Sequence, residues 1–150
     1  MTRVLVDADG CPVKEEVYRV ALRHGAGVVI VSNQRIRIPD HPLVTRAVVS
    51  DAFDAADDWI VDQAGAKDVV VTADILLADR CLKAGATVLA PTGKPFTTSS
   101  IGAAIATRAI MADLRAGIAE RTSGPPPFGK ADRSRFLSAL DEMLVRLGRG

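Results

Sequence analysis

Aromatic side chains make up only 4% of the sequence, which argues against a surface that works mainly by stacking nucleic-acid bases on exposed rings. The two cysteines, Cys11 and Cys81, lie far apart and form neither a CxxC pair nor a disulfide framework, so both are expected as reduced thiols. Of the two histidines, neither has a second soft ligand nearby in sequence, and a zinc site is not expected. Long apolar runs are missing, as is a basic-then-apolar leader, so the expected location is the cytoplasm, with no membrane partner. Glycine (12) and proline (8) are too few for a disordered chain. The formal net charge is only +1, and by itself it names no partner.

What is present is apolar and locally charged. A chain of 150 residues with 48% hydrophobic content is expected to fold as one domain over residues 1–150 with a real core. Residues 51–80 carry eight aspartates against Lys67 and Arg80, while the segments on either side are net basic. An acidic centre between basic flanks suits a cation site that handles a phosphate-bearing substrate, although solvated helix faces give the same counts.

The organising stretch is Val4 to Val13. Arg3 to Val6 is β-branched and apolar, as in a strand buried on both faces. Asp7 and Asp9 follow where that strand leaves the sheet, and Gly10 and Pro12 turn the chain into an amphipathic helix over residues 13–24. An Asp-x-Asp at this point suggests a metal site; the plainer reading is helix capping. Val28 to Val31 is a second strand. Arg35 to Pro42 reads as an ordered loop or short edge strand, whose two arginines project to one side if it is extended. Arg46 to Ser50 is expected as a third strand. Asp54 then caps a helix over residues 55–64, in which Asp57 shares the apolar face of Ile60, Val61 and Ala64, and Asp58 lies about 100° further round. Val69 to Thr72 is a fourth strand, Ile75 to Lys83 a helix, Thr87 to Ala90 a fifth strand, and Pro91 to Ser100 a loop. A long helix follows from Ser99 or Ser100 to about Ala119. Residues 121–130 read as a proline-rich connector to a last amphipathic helix over about 131–147.

This alternation predicts an α/β three-layer sandwich with a mostly parallel five-stranded sheet and C-terminal helices. In such a sheet the strand-to-helix turns share one edge, and if the order is 3-2-1-4-5, Asp7, Asp9 and Asp74 converge at the switch point, with Asp54 and Asp57 approaching from the same side. Two carboxylates at about 4 Å repel by roughly 4 kcal/mol at an effective dielectric near 20, so the cluster calls for a divalent cation or for protonation. Hard oxygen donors without His or Cys select Mg2+ or Mn2+.

The motifs Val6 to Lys14, Ser50 to Val61, Val70 to Asp74, and Gly124 to Phe128 with Asp132 and Arg133 resemble the YaiI/YqxD family of uncharacterised bacterial proteins across nearly the whole chain. Position 10 holds Gly where Ala is more usual in that motif. The family is itself similar to PIN-like nucleases, whose pattern places one Asp after the first strand, one at the start of a middle helix and one after a Thr-x-Asp strand end. The resemblance implies a PIN-like fold and a metal site, matched by Asp7, by Asp57 or Asp58, and by Asp74, with Asp9 and Asp79 as accessory ligands. No established reaction comes with it.

The leading expectation is a Mg2+- or Mn2+-dependent phosphodiesterase, a nuclease acting on RNA or another nucleic acid. Asp7, Asp57 and Asp74 are its catalytic candidates, and Asp7, Asp9, Asp57, Asp58, Asp74 and Asp79 its metal candidates. Ser32, Arg35, Arg37, Lys94, Arg108, Lys130, Arg133 and Arg135 are candidates for binding substrate, although a solvated charge explains each arginine as well. One rival is a haloacid-dehalogenase-like phosphatase, with Asp7 as nucleophile, Asp9 as acid, Lys67 or Lys83 as its lysine, and Asp74 and Asp79 on magnesium. Another is a non-catalytic receiver-like module using Asp7, Asp9, Thr72 and Lys94, or a nucleic-acid-binding protein.

Overall fold

The structure, a computed structural model, describes residues 2–52, 54–117 and 128–149, with the main chain alone over 112–117 and at 149. Among the described residues eleven elements follow one another: β1 (Arg3–Asp7), α1 (Lys14–Arg23), β2 (Gly27–Ser32), β3 (Val44–Val48), α2 (Ala55–Gln63), β4 (Asp68–Val71), α3 (Ile75–Lys83), β5 (Thr87–Leu89), β6 (Pro95–Phe96), α4 (Ile101–Gly117) and α5 (Lys130–Arg149). The sheet order is β3-β2-β1-β4-β5-β6, so the 3-2-1-4-5 order under which the turn carboxylates converge is present, with one further strand at the edge.

The apolar runs explain the centre of the sheet. β1 pairs in parallel with β2 on one side and β4 on the other, and Val4, Leu5, Val6, Val69, Val70 and Val71 are fully buried. Strands covered on both faces need no polar alternation. On one face Val4, Val6, Ile30 and Val71 meet Val17 and Val20 of α1 and Phe136, Leu140 and Leu144 of α5. On the other, Leu5, Val31, Val70 and Val88 meet Ile60 of α2, Leu77 and Cys81 of α3, and Ile101 of α4. Both cysteines are free and buried.

The edges depart from expectation. The sheet has six strands rather than five, because Pro95 and Phe96, expected in a loop, pair antiparallel with Leu89 and Val88. Two residues are too few for any periodicity to register, and proline is tolerated on an outer strand. β3 runs from Val44 to Val48 rather than from Arg46 to Ser50. As the opposite edge strand it buries only Val44, and Val48 is 52% exposed, so an apolar run does not mark its position. No helix joins the parallel strands β2 and β3. The loop between them packs Ile36 and Ile38 onto the first core and leaves Arg35 and Arg37 exposed. Of the expected connector, residues 121–127 lie outside the described residues. Lys130 already belongs to α5, whose first turn is tied down by the Gly129 amide donating to Asp132 at 3.0 Å.

One glycine fixes a long-range contact. Gly93, between β5 and β6, has φ +90°, and a Cβ there would lie 2.6 Å from the main-chain carbon of Arg135. The turn that carries Pro91 and Lys94 is therefore seated on the backbone of α5.

Candidate functional site

β1 is central, so the turn after it opens where the β2 and β4 turns also open. A pocket of about 480 Å³ lies there, and Asp7, Asp9, Asp54, Asp57 and Asp74 all line it. Asp7 ends β1, Asp57 lies in the first turn of α2, and Asp74 precedes α3. Asn33 and Ser50, polar residues just past β2 and β3, line the pocket too. In the sequence only their position after a strand distinguishes them.

Two buried hydroxyls from the strands beside β1 hold its carboxylates. The Thr72 hydroxyl donates to Asp7 Oδ2 at 2.9 Å and accepts from the Asp74 amide at 3.0 Å. Ser32 Oγ donates to Asp9 Oδ1 at 3.2 Å and accepts from the Gln34 amide at 3.0 Å. Ser32 is 2% exposed and Thr72 1%, so both orient carboxylates from below the pocket floor. Ser32 thus supports Asp9 rather than standing open to a substrate.

Helix capping, the plainer reading of Asp7 and Asp9, does not occur at α1, whose cap position is Val13 with no side-chain capping bond, but Asp74 does cap α3: its Oδ1 accepts from Leu76 N at 2.9 Å and Leu77 N at 3.3 Å. Asp54 does not. It occupies the position before α2, but its backbone is left-handed at φ 62° and its side chain makes no capping bond, contrary to the sequence expectation. Gly10 also needs its freedom, at φ +72°, where an alanine would be strained.

The crowding of like charge is visible in the protonation equilibria. The Asp57 carboxyl is pushed from an ordinary 3.8 up to about 6, first by burial and then by the negative charges of Asp74, Asp7 and Asp54, with Arg80 pulling the other way. Asp7 is also raised, chiefly by burial and further by Asp9 and Asp74, while the Thr72 hydrogen bond opposes the shift. Burial likewise raises the Cys11 thiol, which lines the pocket as a neutral group.

The remaining acidic candidates lie elsewhere. Asp58, one helix position from Asp57, is exposed and pairs with Arg80 at 2.9 Å, and Asp79 pairs with Lys83 one turn along α3 at 2.9 Å. Neither lines the pocket. Among the described residues no group of three or more His, Cys, Asp or Glu side chains is arranged to hold a metal ion, so the four candidates Asp7, Asp9, Asp57 and Asp74 share a pocket without closing into a ligand cage. The donor chemistry still suits a hard dication, since Mg2+ keeps several waters and commonly takes one or two protein carboxylates directly.

The cationic candidates divide into three groups. Arg35, Arg37 and Lys130 are exposed. Lys94 and Arg108 line a second cavity beside the acidic pocket. Arg133 is committed to the fold, donating to the Pro12 carbonyl at 2.7 Å and to Glu16 while lying 5.1 Å from the Phe128 ring centroid, and Arg135 pairs with Asp132. Lys67 lines a different cavity, with Thr2 and Ala26 at the opposite edge of the sheet, and Lys83 pairs with Asp79. Among the described residues no helix is long and apolar enough to cross a membrane.

The comparisons agree with this chain-wide pattern. The model of the uncharacterized bacterial YaiI/YqxD family matches residues 5–146. A UPF0178 protein of Sphingopyxis alaskensis is 74% identical over 147 residues, covering 98% of this chain and 96% of that one. UPF0178 proteins of Nitrobacter winogradskyi and Bradyrhizobium diazoefficiens are 57% and 56% identical, covering 98% and 99% of this chain and 93% and 88% of theirs. No solved structure matches. The chain belongs to the YaiI/YqxD family.

Proposed function

We propose that the protein is a divalent-metal-dependent phosphodiesterase, a PIN-like nuclease acting on single-stranded nucleic acid at the acidic pocket. The observation that carries this reading is the convergence of Asp7, Asp9, Asp57 and Asp74 on one pocket, from two strand ends and a helix start. The strand order, with carboxylates after β1, at the start of α2 and after β4, supports the PIN-like assignment. Asp7, Asp57 and Asp74 would hold Mg2+ or Mn2+, with Asp9 in support. The chemistry such an ion supplies is neutralisation of charge on the phosphoryl group and activation of water.

The chain's own residues do the rest. Thr72 keeps Asp7 and Asp74 in fixed relation, and Ser32 orients Asp9. The half-buried Asp57 faces them from α2. Exposed Arg35, Arg37, Lys94, Arg108 and Lys130 are available to backbone phosphates, so binding should weaken steeply with salt. The phosphatase reading loses support because neither Lys67 nor Lys83 lines the pocket. The receiver reading loses it because Lys94 opens on the neighbouring cavity instead.

The test uses two substrates. A labelled single-stranded oligonucleotide should be cut in manganese and spared in chelator, while an aryl phosphate monoester stays intact. Turnover of the monoester with a trappable aspartyl adduct would replace the nuclease by the phosphatase. An oligonucleotide bound but never cut would leave a binding module.

A further inference from the structure

We propose that the cavity beside the acidic pocket is a nucleobase subsite, which holds a base of the strand whose backbone passes the carboxylates; this inference rests on the nucleic-acid role proposed above. The cavity measures about 830 Å³, within the range of about 300–1,000 Å³ usual for ligand sites. It lies between the β5–β6 turn and the exposed side of α4, and Phe128 closes it ahead of α5. Gly10, Ala73 and Pro91 line both it and the acidic pocket, so the two form one continuous depression.

Its lining suits a base and its phosphates. Phe96 and Phe128, two of the four phenylalanines in the chain, both border it. Scarce rings gathered at one place are what a local stacking site needs, even though the whole surface has too few for a stacking platform. Phe128 is held in place by the Arg133 guanidinium, itself anchored to Pro12 and Glu16. Lys94 and Arg108 stand at the same cavity, and neither pairs with a carboxylate among the described residues. Apolar walls with two rings accept a flat heterocycle, and two cations with no carboxylate partner among the described residues accept the phosphates flanking it. An apolar metabolite would use the rings but not the cations, and an inorganic anion the cations but not the rings. Thr92, Ser100 and Thr107 also line the cavity and offer hydroxyls to the polar edge of a base.

Fluorescence anisotropy tests this. An end-labelled single-stranded oligodeoxynucleotide is compared with an abasic strand of equal length, at low salt in chelator. Both strands carry the same charge, so repulsion by the acidic pocket cancels in the ratio of their affinities. The intact strand should bind wild type about 5- to 150-fold more tightly, the range expected for stacking one base. Phe96→Ala should collapse that ratio towards one, and Phe96→Tyr, which keeps the ring, should preserve it. Because Phe96 also packs on the core, Ala103→Leu, which narrows the cavity from an exposed position on α4, gives a second and independent collapse. Equal binding of the two strands by wild type, failure to bind either, or a ratio unchanged in Ala103→Leu overturns the subsite. Base-dependent binding that Ala103→Leu abolishes, in a protein that never cuts in manganese, upholds the subsite and removes the nuclease reading alone.

Discussion

Replacing Asp57 by Asn should stabilise the metal-free protein at neutral and alkaline pH. The folded state holds the Asp57 proton up to about pH 6, whereas an ordinary carboxyl loses it near 3.8. Below the lower value both folded and unfolded states are protonated, and the group contributes nothing. As pH rises through the window the unfolded chain ionises first, so stability is lost, and above about 6 the loss is constant. For a fully buried group that gap is about 3 kcal/mol, but Asp57 is partly exposed and screened by solvent, so about 1 kcal/mol is the expected size. The Asn variant should therefore gain about 1 kcal/mol over wild type near pH 8, or about 2–4 °C in Tm for a domain of this size. The gain should vanish near pH 4. Urea unfolding in chelator at both pH values measures the difference. A variant less stable than wild type near pH 8, or a gain of equal size at both pH values, would refute charge crowding as the cause.

Three further substitutions probe the support of the site. Thr72→Val removes the hydroxyl between Asp7 and the Asp74 amide, so it should cost about 1–3 kcal/mol in urea unfolding and weaken metal binding, while Thr72→Ser should restore both. Asp74→Ala should lose about 1 kcal/mol through the α3 cap, whereas Asp74→Asn, which can still cap, should keep stability; equal losses would show that charge rather than capping matters to the fold. Gly93→Ala should cost about 2–4 kcal/mol, because its Cβ would meet the backbone of α5 in a strained conformation, and a change within about 0.5 kcal/mol would contradict the close approach.

The central strands were legible because Val4 to Val6, Val28 to Val31 and Val69 to Val71 are unbroken apolar runs, which is the pattern of strands covered on both faces. The same rule misplaced β3 and missed β6, both edge strands, where one side lies open and burial leaves no pattern. Helical phase separated Asp57 from Asp58 correctly as to face, since the first lines the pocket and the second pairs outward with Arg80. Asp79 could not be resolved this way, because only the fold shows its carboxylate turned to Lys83. Asp54 obeyed the positional rule for a cap yet fails to cap, since a left-handed backbone is a tertiary outcome. Ser32 and Arg133 look available in sequence because hydroxyls and guanidiniums serve substrates and folds alike. Burial under Asp9 and bonding to Pro12 assign them to the fold.

As proposed, the acidic pocket would hold a divalent ion on Asp7, Asp57 and Asp74 with Asp9 in support, and a manganese titration followed by the free-ion electron paramagnetic resonance signal tests that directly. Wild type should remove Mn2+ from solution, Asp7→Asn and Asp74→Asn should each weaken uptake at least about tenfold, and Asp58→Asn and Asp79→Asn should leave it unchanged. No uptake by wild type, or the same uptake by all four variants, would contradict it.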